Sequence, residues 1–206
     1  MARARDVITA EEMHRTPAGS VFSVSDQAVI TPLAQELARE KNIVFVPSSE
    51  AGQSEIIALG ADHGGFAAKQ AIRKHLEKRG YQVRDFGTHS QEQVDYPDYA
   101  RKVAEAVAGG ECRCGILVDG AGIGSCMAAN KVPGVLAALC YDEATARNSR
   151  EHNYANVLTL GGKMLPTDRL IEIVDAWLAT PYGEARHQRR VEKIRAIERN
   201  YFRRVP

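Results

Sequence analysis

The 206-residue sequence carries almost no net charge, because 27 lysine and arginine residues are matched by 26 aspartate and glutamate residues. No strong overall field draws such a chain to nucleic acid or to an anionic membrane, so any anion site must be local. Long apolar runs are also missing, since even residues 135–140 fall far short of the roughly 20 residues that span a bilayer. These absences predict a protein with neither a nucleic-acid nor a membrane partner.

The sequence has little cysteine and no segment typical of export. Residues 1–6 lack the apolar stretch of a secretory signal, so we expect a cytoplasmic protein with reduced thiols. Cys112 and Cys114 have neither the two-residue gap of common zinc sites nor a second Cys/His pair to complete a tetrahedral shell. The sequence therefore predicts no structural zinc.

The residues that are present have the composition of a packed globular protein, with 44% hydrophobic and 26% charged residues. From residue 55 onward, short apolar runs alternate with amphipathic stretches, which is the pattern of a parallel sheet with helices on its faces. The predicted strands are residues 55–60, 81–86, 115–119, 135–140 and 156–160. The predicted helices are residues 66–79, 99–108, 125–130, 142–150, 168–180 and 185–200. This order predicts an α/β domain over residues 53–206, with a Rossmann-like, doubly wound sheet of five parallel strands.

The first 52 residues follow a different pattern and are predicted to form a small α+β extension that ends in a linker. Two short β-like runs, at residues 20–24 and 42–46, flank a predicted helix over residues 31–41. Thr31 is a favourable N-cap, and Pro32 suits the first helical position. Residues 47–54 are polar and turn-rich, as in a linker. No internal repeat is apparent in the sequence.

In open parallel sheets, ligands bind beyond the carboxyl ends of the strands, so the loops after strands are searched first. One of these loops is Gly120-Ala121-Gly122-Ile123-Gly124, between a strand and a short helix. Its amides could face an anion or a developing oxyanion, although a tight turn alone also explains the glycines. Ser125 stands where a dinucleotide fingerprint has its third glycine, so NAD binding is disfavoured.

Two strand ends carry acidic residues with two possible roles each. Asp119 ends the strand before the glycine loop, where a partly desolvated carboxylate suits a general base and an aspartate also commonly caps the turn. Asp62 and His63 follow the first strand of the sheet. They could bind a phosphate or a sugar hydroxyl, or Asp62 could cap the next helix with His63 at the surface. The residue pattern alone does not choose between these roles.

Two further candidates lie near predicted helix ends. His152, followed by Asn153, precedes the last strand and is expected on the ligand side of the sheet. It could be an acid or base near neutral pH, or only a favourable charge at a helix terminus. Arg186 and Arg190 lie four residues apart on one helical face, so they could hold one phosphate together or be a solvated face.

Five ordered motifs together resemble those of the ribose-5-phosphate isomerase B family, whose relatives include galactose-6-phosphate isomerase subunits. The motifs are Gly60-Ala61-Asp62-His63-Gly64-Gly65, Asp95-Tyr96-Pro97-Asp98-Tyr99-Ala100, the glycine loop with Ala128-Ala129-Asn130-Lys131, Ser149-Arg150-Glu151-His152-Asn153, and Arg186-His187-Gln188-Arg189-Arg190. The resemblance covers about residues 56–201. It implies aldose–ketose isomerisation of a phosphorylated sugar, first of all ribose-5-phosphate, through an enediolate and without a metal or an organic cofactor.

The same resemblance implies roles for individual residues. His152 would open the sugar ring. The other implied contacts are Asp62, Asp95, Tyr96 and Asn153 for the substrate, the amides of Gly120, Ala121, Gly122, Ile123 and Gly124 for the enediolate, and His63, Lys163, Arg186 and Arg190 for the phosphate. The family works as a homodimer or homotetramer, with the region of His152 and Lys163 reaching into the neighbouring subunit's site.

The sequence departs from the family at the catalytic base. Many relatives carry cysteine at the position of Asp119, and another branch carries glutamate at the position of Ser125. We predict that Asp119 moves the proton between carbons 2 and 1, with Cys126 as a second candidate that packing explains better. Ala121 also replaces a hydroxyl residue of many relatives. A noncatalytic sugar-phosphate-binding or scaffolding role, or another pentose or hexose phosphate as substrate, therefore stays open.

Residues 1–52 lie outside this pattern and resemble, more loosely, N-terminal pieces of proteins associated with bacterial microcompartments. That resemblance implies an enzyme carried as cargo inside a protein shell. A small subdomain that packs on the isomerase domain or on another subunit explains the segment equally well.

Overall fold

The computed structural model describes residues 7–19, 21–24, 28–47 and 56–202, and the chain divides into two units between Gln53 and Ser54. The larger unit contains a five-stranded sheet, and the smaller unit contains two pairs of short strands. The linker predicted at residues 47–54 falls on this division, but all of it after Pro47 lies outside the described residues. The same holds for Ser20 and Glu55, the first residues of two predicted strands.

The smaller unit is built from two similar β-α-β halves. The first half is β1 (Val7–Ile8), α1 (Ala10–Arg15) and β2 (Val21–Val24), and the second is β3 (Val29–Ile30), α2 (Pro32–Glu40) and β4 (Val44–Pro47). Strand β1 pairs with β3 and β2 with β4, both in parallel, so that Phe22 lies opposite Phe45. The expectation of no internal repeat was wrong, since Val7-Ile8-Thr9 and Val29-Ile30-Thr31 start equivalent halves.

The smaller unit has its own caps and its own core. Thr31 accepts a hydrogen bond from the Ala34 amide at 3.3 Å, which confirms the predicted N-cap. Lys41 donates to the carbonyls of the last turn of α1, including that of His14 at 2.7 Å. The core residues are Ile8, Met13, Ala34, Ala38, Ile43 and Phe45.

The larger unit confirms the predicted parallel sheet. Its strands are β5 (Ile56–Ala61), β6 (Gln82–Asp85), β7 (Cys114–Asp119), β8 (Ala137–Leu139) and β9 (Val157–Gly161). They run in the spatial order β6-β5-β7-β9-β8, and every neighbouring pair is parallel. Strands β7 and β9 are buried along their whole length, because helices cover both faces of the sheet.

Six helices of the described residues 56–202 accompany this sheet. They are α3 (Phe66–Lys78), α4 (Tyr96–Ala108), α5 (Ile123–Ala129), α6 (Glu143–Glu151), α7 (Thr167–Ala179) and α8 (Ala185–Phe202). One core cluster contains Trp177 and Leu76, and the other contains Val103 and Leu117. No helix among the described residues is both long and apolar enough to cross a membrane.

Helices that join parallel strands run antiparallel to them, and this direction decides where the candidate residues lie. Helix α6 starts at its N-cap Asp142, at the carboxyl edge of the sheet, and ends at His152, before β9 begins at the amino edge. Its 9 residues separate these two points by about 13 Å. The expectation that His152 lies with the strand-end loops on the ligand side was therefore wrong.

Candidate active site

Asp62 and Gly65 fix the start of α3 at the carboxyl end of β5. The buried Asp62 accepts a hydrogen bond on Oδ1 from the Gly65 amide at 2.9 Å. Gly65 lies so close to β7 that a methyl group there would come 2.0 Å from the Val118 carbonyl oxygen. This crossing requires glycine. Asp62 fixes the turn before α3 but does not cap the helix, because Gly65 is the N-cap residue and no side chain makes a capping bond there.

His63 and Tyr96 connect this loop to the start of α4. The Nδ1 atom of His63 lies 3.1 Å from the carbonyl oxygen of Val94 and 3.3 Å from its amide nitrogen. The exposed Tyr96 ring lies so close to Gly124 that a methyl group there would come 2.5 Å from the ring. Asp95 is the N-cap residue of α4 but makes no side-chain capping bond. The structure therefore brings this segment to the glycine loop.

The Asp119 carboxylate is held inside the glycine loop and is 4% exposed. Its Oδ1 accepts hydrogen bonds from the amides of Ala121, at 2.8 Å, and Gly122, and its Oδ2 accepts one from the Ser125 amide at 2.8 Å. Three donors stabilise the charged carboxylate and fix the turn from β7 into α5. Because each carboxylate oxygen has two lone pairs, Oδ1 is saturated and Oδ2 keeps one. Asp119 therefore caps the turn and still has one acceptor position.

The amides of the glycine loop are divided between this carboxylate and the helix start. The amides of Ala121 and Gly122 donate to Asp119. The family resemblance implied instead that these two amides stabilise the enediolate. Ile123 and Gly124 are the first residues of α5, and the first amides of a helix have no intrahelical carbonyl partner. These two amides and that of Gly120, which does not donate to Asp119, are the loop donors with which a bound oxyanion could pair.

Lys163 and Tyr141 reach the glycine loop from two other strand ends. The Lys163 amide donates to the Gly120 carbonyl at 3.0 Å, and a methyl group at Gly64 would come 3.3 Å from Lys163 Cε. Lys163 therefore lies between two loops of its own chain, which differs from the implied reach toward a neighbouring subunit. The Tyr141 hydroxyl donates to the Ala121 carbonyl at 2.7 Å. The loop of Tyr141 and Asp142 is one of the strand-end loops that the sequence marks for the search, but no role was predicted for this tyrosine, which lies two residues after β8.

His152 and the start of α8 form a second cluster at the amino edge of the sheet. The His152 ring is 39% exposed and stacks on His187, with 4.2 Å between ring centroids and 8° between the planes. The Arg186 Nε atom lies 3.2 Å from His187 Nε2 and 3.1 Å from Glu184 Oε2. The structure thus brings His152 and Arg186 together and places both at the opposite edge from Asp119.

Asn153 and Arg190 extend this second cluster. Asn153 lines an open pocket beside α6, together with Asn148, whose Nδ2 lies 3.0 Å from His152 Nδ1. Arg190 follows Arg186 by one turn of α8. Burial lowers the pKa of the His187 imidazole, and the nearby charges of His152, Arg186 and Arg190 lower it further.

The residues of both clusters lie in a part of the chain that matches one known protein family. Residues 57–194 match the ribose/galactose isomerase family. This chain belongs to that family. It is 50% identical to ribose-5-phosphate isomerase B of Escherichia coli over 142 residues, which are 69% of this chain and 95% of that protein. The structure of the Clostridium thermocellum ribose-5-phosphate isomerase B matches with a TM-score of 0.70 and 52% identity, over 71% of this chain and 99% of that chain.

A family member solved with a ligand is also similar to this chain. The ribose-5-phosphate isomerase B of Mycoplasma genitalium with bound ribulose-5-phosphate matches with a TM-score of 0.68 and 42% identity, over 71% of this chain and 98% of that chain. The family match begins at Ile57, so the smaller unit lies outside it. Within the described ranges, no three His, Cys, Asp or Glu side chains are grouped so that they could hold a metal ion.

Proposed function

We propose that this chain is an aldose–ketose isomerase that interconverts ribose-5-phosphate and ribulose-5-phosphate. The observation that carries the proposal is the 50% identity to the Escherichia coli ribose-5-phosphate isomerase B over 95% of that protein. The bound ribulose-5-phosphate of the Mycoplasma genitalium relative supports the choice of sugar. A buried carboxylate beside the first amides of a helix supports the choice of reaction, because proton transfer at carbon needs a base next to oxyanion donors.

In the proposed reaction, His152 takes the proton of the carbon 1 hydroxyl and passes it to the ring oxygen, while the bond between carbon 1 and the ring oxygen breaks and carbon 1 becomes the aldehyde. Asp119 then takes the proton of carbon 2 on Oδ2, since Oδ1 already accepts two hydrogen bonds. The negative charge of the enediolate falls on the carbon 1 oxygen, which the Ile123 and Gly124 amides can stabilise. Asp119 returns its proton to carbon 1, and the hydroxyl proton of carbon 2 moves to the carbon 1 oxygen, which leaves the ketose.

A complete site in this proposal needs a second copy of the chain. Asp119 and Lys163 belong to the carboxyl edge of the sheet, whereas His152 belongs to the amino edge. We therefore propose a homodimer in which the carboxyl edge of one copy meets the amino-edge cluster of the other, and a tetramer would pair two such dimers. The proposed substrate contacts are Asp62, His63, Asp95, Tyr96 and Lys163 from one copy and Asn153, Arg186 and Arg190 from the other.

Proton exchange with solvent tests the proposed activity. In deuterium oxide, the purified protein is expected to introduce deuterium at carbon 1 of ribulose-5-phosphate and to produce ribose-5-phosphate, as followed by proton NMR. Galactose-6-phosphate and other hexose phosphates in the same assay test the substrate, because a hexose adds one hydroxymethylene unit. Faster exchange with a hexose phosphate than with the pentose would overturn the choice of sugar.

A noncatalytic sugar-phosphate-binding role is the second candidate, and one observation favours it. The three amides that donate to Asp119 are those of a structural cap, and a cap needs no reaction. Such a protein would bind ribulose-5-phosphate in calorimetry but exchange no proton with any sugar phosphate. Exchange with any member of the panel contradicts this role.

We also propose that residues 1–52 make a contact outside the active site, with a microcompartment shell or with another subunit. The segment lies outside the family match, and it exposes Val7, Val29 and Leu33, of which the two valines are paired across β1 and β3. A chain without residues 1–52 is expected to keep its isomerase activity. Lost co-purification with shell particles at unchanged oligomer mass would favour the shell, and a changed mass would favour the subunit contact. No change in either would contradict both.

A further inference from the structure

His187 is a buried imidazole that the proposed reaction does not use. It is 3% exposed and lies between two groups that the reaction does use. One face of its ring stacks on His152, with nearly parallel planes, and its Nε2 is 3.2 Å from the Nε of Arg186. A single side chain therefore contacts both the proposed ring-opening group and a proposed phosphate ligand.

The contacts of His187 select one form of its ring. Arg186 always carries its Nε proton, so His187 Nε2 must accept, and in a neutral imidazole the proton then sits on Nδ1. Nδ1 is buried and has no hydrogen-bond partner among the described residues. A second proton would have to sit on Nε2, directly against the guanidinium. The charged and titratable groups that face the ring are His152, Arg186, Arg190 and Glu184, and only the last of these favours a cation.

We propose that His187 is a positioning residue, a neutral imidazole that holds the ring plane of His152 and the guanidinium of Arg186 in the geometry that the substrate of the neighbouring copy requires. This inference rests on the proposed function. Its physical basis is that a stacked ring restricts rotation of the exposed His152 side chain, while a fixed acceptor restricts the flexible arginine. Less conformational entropy of these two side chains is then lost when the substrate binds.

Two substitutions separate the two contacts. His187→Phe keeps a flat ring for stacking but removes the acceptor of Arg186, so we expect KM for ribose-5-phosphate to rise about tenfold with kcat within about threefold. His187→Gln keeps an acceptor near the Nε2 position but removes the stack, so we expect kcat to fall about tenfold with KM nearly unchanged. His75→Gln is the control, because His75 pairs with Asp175 on the surface of α3 and α7. Equal effects of both His187 variants on kcat and KM would overturn the proposal.

A measurement without substrate separates this proposal from the proposed activity. In nitrogen NMR of the intact protein, His187 is expected to stay neutral, with its proton on Nδ1, at a pH just below the ordinary histidine pKa of 6.5. A His187 that gains its second proton at or above the ordinary histidine pKa of 6.5 would overturn the proposal even if the enzyme is active. A neutral His187 in a protein without isomerase activity would instead refute only the proposed function.

The lowered pKa of His187 also has a consequence for stability. Just below the ordinary histidine value of 6.5 the unfolded chain binds a proton at this position that the folded chain does not, so stability falls as the pH decreases through this window. Stability from this group is complete above pH 6.5 and is lost toward the lowered pKa. Denaturant unfolding of the parent and of His187→Gln between pH 7.5 and about 5 is expected to show a steeper loss for the parent. Parallel curves would contradict a depressed pKa.

Discussion

Replacing Asp119 with asparagine is expected to lower kcat by about 10²- to 10⁴-fold, the usual contribution of a general base. Asparagine has nearly the same shape, and its oxygen can still accept from the Ala121 and Gly122 amides, as Asp119 Oδ1 does. Its NH₂ group, however, cannot take a proton from carbon 2. The rate of ribose-5-phosphate isomerisation, measured at saturating substrate, checks this expectation.

The controls for this substitution separate chemistry from folding. The asparagine NH₂ would face the Ser125 amide, which now donates to Oδ2, so some loss of stability is expected and should be measured by thermal unfolding. Binding of ribulose-5-phosphate, measured by calorimetry, should persist. Asp119→Cys is the rescue variant, because a thiolate at this position can again accept a proton and the family resemblance places cysteine there. Turnover of Asp119→Asn at the parental rate would remove Asp119 as the base.

Cys126 is the alternative base, and its contacts favour a packing role. Its Sγ lies 3.4 Å from the Ala137 carbonyl oxygen, which Asn130 Nδ2 also contacts at 2.9 Å. These contacts join α5 to β8. Cys126→Ser is therefore expected to change kcat by less than about threefold, since a hydroxyl can keep the contact to Ala137. A large loss of kcat in this variant, together with an active Asp119→Asn, would mean that Cys126 is the base and that Asp119 only fixes the turn.

The parts of the fold that depend on local pattern could be predicted from the sequence. The strand ending at Asp119 is a run of apolar residues bounded by glycines, and the glycines after it allow the left-handed backbone that a tight strand-to-helix turn needs, as at Gly122. The two roles of Asp119 could not be separated, because a cap and a base place the same residue at the same strand end. Only the three amides around its carboxylate distinguish what each oxygen does.

Other features depend on direction and on long-range pairing, which a sequence pattern does not contain. His152 was expected near the strand-end loops, but α6 carries the chain back across the sheet before His152 is reached. The repeat in the smaller unit was missed because β1 and β3 have only two residues each, too few for an alternating pattern to be recognised. The repeated Val-Ile-Thr is too short to stand out by itself, and the parallel pairing of Val7 with Val29 shows that the two copies occupy matching places.

Two inactive variants are expected to restore activity when they share a dimer. Asp119→Asn lacks the carboxyl-edge base, and His152→Gln lacks the amino-edge group, so each homodimer has two incomplete sites. In a mixed dimer, one site combines an intact Asp119 with an intact His152 from the other copy, and the second site lacks both. Random pairing makes half of the dimers mixed, and each has one good site, so about a quarter of the parental activity should return.

The matched control pairs two variants from the same half-site. Asp119→Asn and Lys163→Met both change the carboxyl edge, where Lys163 contacts the glycine loop of its own chain. Every site in their mixed dimers lacks one of the two groups, so no activity should return. In each mixture, the two variants should be unfolded in denaturant and refolded together. Mass spectrometry should then establish that mixed dimers have formed. If the first mixture stays inactive although its mixed dimers are present, the site is not divided between copies, and His152 must act, if at all, within its own chain.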